Sequence, residues 1–250
     1  MILFEYPFNE RVRALLRLEY LFDRMMFFAR PGDPRQHQVA LTALFDLLDA
    51  TERTDMKGSV LQDLERQRAV LISLKDHPGV DTKTLNAMLN EIERASTHLS
   101  ATGKTGQLLR ENEWLTSIRG RLVVPGGGTQ VDMPSFYAWQ CRPEIERCAD
   151  LQRWMSSLMP LQAGVAIVLK LLRESGQTEA ALGPQGAYQQ MLSGKVYQLL
   201  RVWVDESLNT FPEISANKYM VWIRFASQDG EFKPQSVSRD VPFKMALCSL

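Results

Sequence analysis

This sequence predicts an α+β protein, a helical bundle domain with a smaller antiparallel β-strand domain. Three observations predict it. Apolar residues recur at helical spacing through the first two-thirds of the chain. Beyond Gly183-Pro184 the apolar period falls to two, in segments rich in Val, Ile, Trp, Tyr and Phe. The 250 residues, 45% apolar and 23% charged, are enough to bury a core in one domain or two. The expected division gives 1–120 and 136–176 to the helical domain, and 121–135 and 177–250 to the β-strand domain.

The first helix starts near Asn9, a good N-cap, and ends before Pro31-Gly32. Its apolar positions are Val12, Leu15, Leu16, Leu18, Leu21, Phe22 and Met25. The second has Asp33 as N-cap and Pro34 in its first turn, then Val39, Leu41, Leu44, Phe45, Leu47 and Leu48. A third runs from about Asp55 to Lys75 and is stopped by His77-Pro78-Gly79. The fourth, from about Asp81 to Leu99, carries Leu85, Met88, Leu89 and Ile92. A fifth follows Gly106 and includes Leu108, Leu109, Trp114, Leu115 and Ile118. Short connections between amphipathic helices suit antiparallel packing.

Leu122-Val123-Val124 then reads as a short strand meeting the turn Pro125-Gly126-Gly127-Gly128, with Thr129 to Met133 as a second strand. Helices resume at about Glu144–Leu158 and Pro160–Glu174, closed by Gly176. Strands are expected at Ala187–Met191, Tyr197–Asp205, Lys218–Ala226 and Val237–Cys248. Together with the segment near Val123 they are expected to form one antiparallel sheet.

Lys+Arg and Asp+Glu balance at 29 each, which argues against bulk attraction to nucleic acid or anionic lipid. Cys141, Cys148 and Cys248 form no CxxC pair and fit a reducing compartment. The most apolar window, Leu158 to Leu172, contains Gln162 and Lys170 and is too short and too polar to span a bilayer. Residues 1–8 lack the basic start and apolar core of a secretory signal, so a cytoplasmic protein is expected.

Chemistry-bearing motifs fare poorly. Gly103-Lys104-Thr105 resembles the end of a phosphate-binding loop, but His98 stands where that loop needs glycine, and a helix precedes it. His37, His77 and His98 have no second His or Cys at helical spacing. There is no G-x-S-x-G elbow. No catalytic residue, metal or cofactor is expected.

The basic clusters carry more. At 100° per residue, Arg13, Arg17, Tyr20 and Arg24 fall within about 60° of one another on the first helix. Arg110, Arg119 and Arg121 stand on the fifth. Alternation along Lys218–Ala226 puts Lys218, Met220, Trp222 and Arg224 on one face, and Arg201 and Trp203 share a face of their own strand. The plain alternative is a solvated surface, with Glu10 pairing Arg13. Interleaved cations and aromatics also suit a peptide bearing carboxylates and apolar side chains, or stacked single-stranded bases.

Three blocks decide between these readings. The opening FEYPFNERVRALLRLEYL, the block GQLLRENEWLTSIRGRLVVPGGG with VDMPSFYAW after it, and the late EISANKYMVWIRF resemble the ZapD family of bacterial cell-division factors, in the same order over essentially the whole chain. The resemblance implies a cytoplasmic, non-enzymatic homodimer with a helical domain and a β-strand domain. It implies binding to the C-terminal peptide of the tubulin-like protein FtsZ, and cross-linking or bundling of FtsZ filaments to stabilise the Z-ring at the division septum. By matching position, the residues implied are Arg13 and Arg17, Arg119 or Arg121, and Arg224. The strand-face reading adds Lys218 and Trp222 as candidates. A nucleic-acid-binding module using the same arginines and tryptophans is the second reading, and the zero net charge counts against it.

Overall fold

The computed structural model describes residues 1–52, 55–75, 77–228, 230 and 232–250. Their elements run β1 (Ile2–Pro7), α1 (Glu10–Phe28), α2 (Pro34–Glu52), α3 (Met56–Ser73), α4 (Thr82–Ala101), α5 (Gln107–Arg110), α6 (Glu113–Leu122), α7 (Pro134–Gln140), α8 (Glu144–Ser156) and α9 (Met159–Glu174). Then follow β2 (Glu179–Gly183), β3 (Ala187–Met191), β4 (Leu199–Val204), β5 (Phe211–Ala216), β6 (Met220–Ser227), β7 (Gln235–Ser236) and β8 (Val241–Cys248). The fold is α+β. Two compact units emerge: a helical one, Leu16–Val168, and a strand-rich one, Met1–Leu15 with Leu169–Leu250.

In the helical unit short polar side chains start the helices, satisfying amides that have no partner inside the helix. Asp55 accepts from Gly58 N at 2.9 Å, Asp81 from Lys83 N and Thr84 N at 3.2 Å each, and Asn112 from Leu115 N at 3.0 Å. The apolar stripes then close a core of Phe22, Met25, Leu44, Leu48, Val60, Leu64, Ile92 and Ile118. Gly164 on α9 lies so close to α3 that a Cβ there would come 2.6 Å from Val60 Cγ1. Trp139 centres an aromatic group, its ring centroid 6.2 Å from Trp114 and 5.8 Å from both Trp154 and Phe136.

The expected fifth helix is two, α5 and α6, because Asn112 caps a new start. The strands expected at 122–124 and 129–133 do not form. Leu122 ends α6, and the following amides turn back on near carbonyls: Val124 N to Arg121 O (3.0 Å), Gly127 N to Val124 O (2.9 Å) and Thr129 N to Gly126 O (3.2 Å). The valines that suggested strands stand in solvent, Val123 81%, Val124 51% and Val131 85% exposed. Strand propensity reflects packing against neighbouring strands, and residues 122–133 lie in the helical unit, whose described elements are all helices. Helix α7, absent from the sequence reading, follows at once with Pro134 in its first turn.

The strand-rich unit holds two antiparallel sheets where the sequence reading expected one. Their orders are β1-β4-β8-β2 and β3-β6-β5, with β7 also on β6. Their inner faces pack together: Leu200, Val202, Val204, Phe243 and Met245 from the first against Val221, Ile223 and Phe225 from the second. The Phe225 and Phe243 rings, 5.1 Å between centroids, join the two. Gly186, at φ +75°, lets the β2–β3 turn pass Val237, whose carbonyl oxygen would lie 2.0 Å from any Cβ.

β1, β2, β5 and β7 are additional strands, and β1 precedes a helix where no strand is expected. A carboxylate fixes β1. Glu5 accepts from Arg173 Nη2 (2.6 Å) at the end of α9 and from Arg201 Nε (3.1 Å) on the paired strand β4. The Arg201 guanidinium also lies 4.8 Å from the Trp203 ring centroid.

Candidate functional site

Helix α1 begins because Asn9 Oδ1 accepts from Val12 N at 2.8 Å. It buries Val12, Leu15, Leu18, Phe22 and Met25, so the row Arg13, Arg17, Tyr20, Arg24 lies beside the buried face. Arg13, in the strand-rich unit, donates from Nε to Glu10 Oε1 at 3.0 Å. An exposed pair one helical turn apart contributes only a few tenths of a kcal/mol, so Arg13 stays available to a stronger acceptor. Arg17, in the helical unit, is exposed and makes no ion pair among the described residues.

Arg119 and Arg121 occupy the last turn of α6, where cations complement the helix dipole. Their side chains differ. Arg119 Nη2 is ion-paired to Asp49 Oδ1 on α2, fastening the two helices. Arg121 is exposed and makes no ion pair among the described residues. Arg110 is structural: its guanidinium donates to Leu48 O at 2.7 Å, Thr105 O at 2.5 Å and Thr51 Oγ1 at 3.3 Å. Asp49, seventy positions from Arg119 in sequence, carries no local signal that could have identified it.

In the second sheet Trp222 and Arg224 share the outer face of β6. Trp222 lies across from Gln189 on β3 and Ser215 on β5; Arg224 lies across from Ala187 and Glu213. Trp222 is half-buried and Arg224 exposed. Lys218 does not share that face. It sits in the turn between β5 and β6, where Asn217 Oδ1 accepts from Tyr219 N (2.8 Å) and Met220 N (2.9 Å) and starts the strand later than its alternation implied. Its Nζ lies 4.7 Å from the Tyr219 ring centroid.

The structure thus brings Trp222 and Arg224 together, and Arg119 and Arg121 together. It commits Arg119 to Asp49 and moves Lys218 off the strand face. What these groups offer is exposed guanidinium and half-exposed aromatic surface, suited to carboxylates beside apolar side chains. Burial pushes the Cys148 and Cys248 thiols above their ordinary range, which keeps them protonated. Among the described residues no three His, Cys, Asp or Glu side chains group as metal ligands, and no single helix is long and apolar enough to cross a membrane.

Comparison with known proteins adds a further line. A family model described as "ZapD: Cell division protein" matches residues 16–224. A Bordetella pertussis protein named "Cell division protein ZapD" is 68% identical over 249 residues, covering 100% of this chain and 98% of its own length. Proteins of the same name from Cupriavidus pinatubonensis and from a Janthinobacterium species are 53% and 51% identical, each covered in full.

Proposed function

The chain belongs to the ZapD family of cell-division proteins, and from that premise we propose that it binds the C-terminal peptide of FtsZ and, as a homodimer, cross-links FtsZ filaments at the division site. The role in cell division comes with the family. The proposed mechanism is non-enzymatic and needs no cofactor, and the protein acts in the cytoplasm.

One observation supports this reading of the residues. Arg17, Arg121 and Arg224 are all exposed and, among the described residues, make no ion pair of their own. Each can offer a carboxylate two parallel, charge-strengthened hydrogen bonds. Trp222, half-buried beside Arg224, offers apolar area to a neighbouring side chain of the peptide. Arg13 and Lys218 add charge at the edge of the same chemistry.

A single short-peptide contact of this kind has a Kd on the order of micromolar to millimolar, about −8 to −4 kcal/mol. A two-fold dimer presents the site twice, and a filament presents many tails. Simultaneous engagement raises avidity by roughly 10²- to 10⁴-fold, enough to convert weak tail contacts into stable cross-links.

Co-sedimentation with FtsZ filaments tests the proposal. The full chain is expected to pellet with intact filaments and to stay in the supernatant with filaments lacking the C-terminal tail. Equal pelleting with tailless filaments would refute peptide recognition.

A further inference from the structure

The row along α1 does not stop at Arg24. Phe27 follows Tyr20 by seven residues, about 20° away around the helix, and both rings are largely in solvent, 63% exposed for Tyr20 and 59% for Phe27. Between this row and the start of α2 runs an open groove of about 820 Å³. Tyr20, Arg24, Phe27, Phe28, Arg30 and Val39 line it, and Asp23 is the one carboxylate among the described residues that do. The Arg30 guanidinium lies 5.2 Å from the Phe27 ring centroid, and the Phe27 and Phe28 rings meet edge to face at 5.1 Å. The whole groove lies within the helical unit.

We infer that this groove is a docking site for an extended acidic peptide, with an apolar side chain seated against Phe27 and Val39 between carboxylates held by Arg17, Arg24 and Arg30. The inference rests on the peptide-binding reading proposed above and gives that peptide a seat beyond Arg17. Charge complementarity selects the occupant: Arg24 and Arg30 line the groove and Arg17 is next along the row, against Asp23 as the one carboxylate among the described lining residues. Spacing refines it. Arg17 and Arg24 are two helical turns apart, about 10 Å, which an extended strand covers in roughly three residues. The peptide therefore carries two carboxylates about three positions apart for Arg17 and Arg24, then an apolar residue for Phe27 and Val39, with a further carboxylate for Arg30 beyond it. A second copy of the chain is a poor occupant, because a two-fold contact here would lay one net-positive face against another.

Fluorescence anisotropy with a labelled FtsZ C-terminal peptide tests the groove on the full chain. Arg17→Glu, Arg24→Glu and Phe27→Ala are compared with wild type, each with its circular dichroism and sedimentation checked. Arg24→Glu and Phe27→Ala are each expected to weaken binding about tenfold, with fold and oligomeric state unchanged. Loss with Arg17→Glu but wild-type affinity for the other two would overturn the groove and leave the peptide reading standing. No binding by wild type would overturn that reading and the groove with it. A shift in oligomeric state with Phe27→Ala would make the occupant a second copy and overturn the proposal.

Discussion

The Arg147 guanidinium donates from Nε to Nδ1 of His37, 3.1 Å away, with both side chains buried in the helical unit. That bond sets the tautomer, since a ring nitrogen that accepts leaves the hydrogen on the other, and His37 Nε2 donates to Arg30 O at 3.0 Å. The rest of the guanidinium serves carbonyls: Gly32 O at 2.9 Å, Gln140 O at 3.2 Å, and Arg142 O. One buried cation thus ties the α1–α2 connection to the end of α7. Arg147→Met strands several buried acceptors at once and is expected to cost about 3 kcal/mol. A urea melt that leaves the midpoint within error of wild type would contradict this.

The clamp on Glu5 makes a second case. Its carboxylate meets two arginines while 15% exposed, so its removal leaves like charges facing one another. Glu5→Ala is expected to destabilise by about 2 kcal/mol, discounted for partial solvent screening. Glu5→Asp, too short to reach both guanidiniums, should fall between, as a thermal melt of the three proteins would report.

Arg119 and Arg121 share one helical turn but should respond differently. Arg119→Ala removes the tie to Asp49 and is expected to lower stability by about 1 kcal/mol. Arg121→Glu, on an exposed side chain, should leave the melting curve within about 0.5 kcal/mol of wild type. Under the proposed function it should still weaken filament co-sedimentation. A binding loss with Arg119→Ala that merely tracks its stability loss would assign that residue to the fold.

Acid should act at a predictable carboxyl. The side chain and backbone N–H of Arg35 hold Asp33 down at about 2. A depressed folded value means its contribution is fully present above about pH 4 and is lost as pH falls through about 2. Asp33→Asn should remove that part of the acid dependence. Asp81 and Asp205 are also lowered, by hydrogen bonds from Thr84 and Ser207. Carboxyl shifts followed by NMR from pH 5 to pH 1.5 would show it, and a normal Asp33 midpoint would refute the arrangement.

The thiols should separate by alkylation. Cys141 is exposed, whereas Cys248 is buried and its thiol pushed up by that burial. Iodoacetamide at neutral pH is expected to modify Cys141 first and Cys248 only after unfolding. Mass spectrometry that finds Cys248 modified as fast as Cys141 in the folded protein would overturn that order.

Much of the fold was legible, for local reasons. Asn9, Asp55 and Asp81 announce helix starts because a side-chain oxygen reaching the second or third amide is a property of a few neighbouring residues. Asn112 caps in the same way, but the apolar residues on both sides of it read as one helix. The strand-like valines at 123, 124 and 131 misled for the converse reason: whether a β-branched run becomes a strand depends on a partner strand, which sequence does not place. At the candidate site, the exposure of Arg17 and Arg224 agrees with their position off the apolar pattern. That Arg119 is taken by Asp49 and Arg110 by Leu48 is long-range geometry with no local sign. Phe27 could have been found, lying about 20° from Tyr20 on a face that carries no core residue.

The order in which the units can close follows from how they are drawn from the chain. The helical unit is one continuous stretch, 16–168, and has all its residues at hand once that stretch has left the ribosome. The strand-rich unit needs segments on both sides of it, and Ile2 of β1 pairs with Val204 of β4. At about 5–20 residues per second, residues 169–250 take on the order of ten seconds to synthesise. Through that interval the growing chain carries Phe4, Tyr6 and Phe8, which later pack against the core of the strand-rich unit, with no sheet to receive them. Early translation therefore yields a chain whose first strand is sticky and waiting, and a nascent-chain chaperone that engages residues 2–8 would shield it until β4 and β8 emerge.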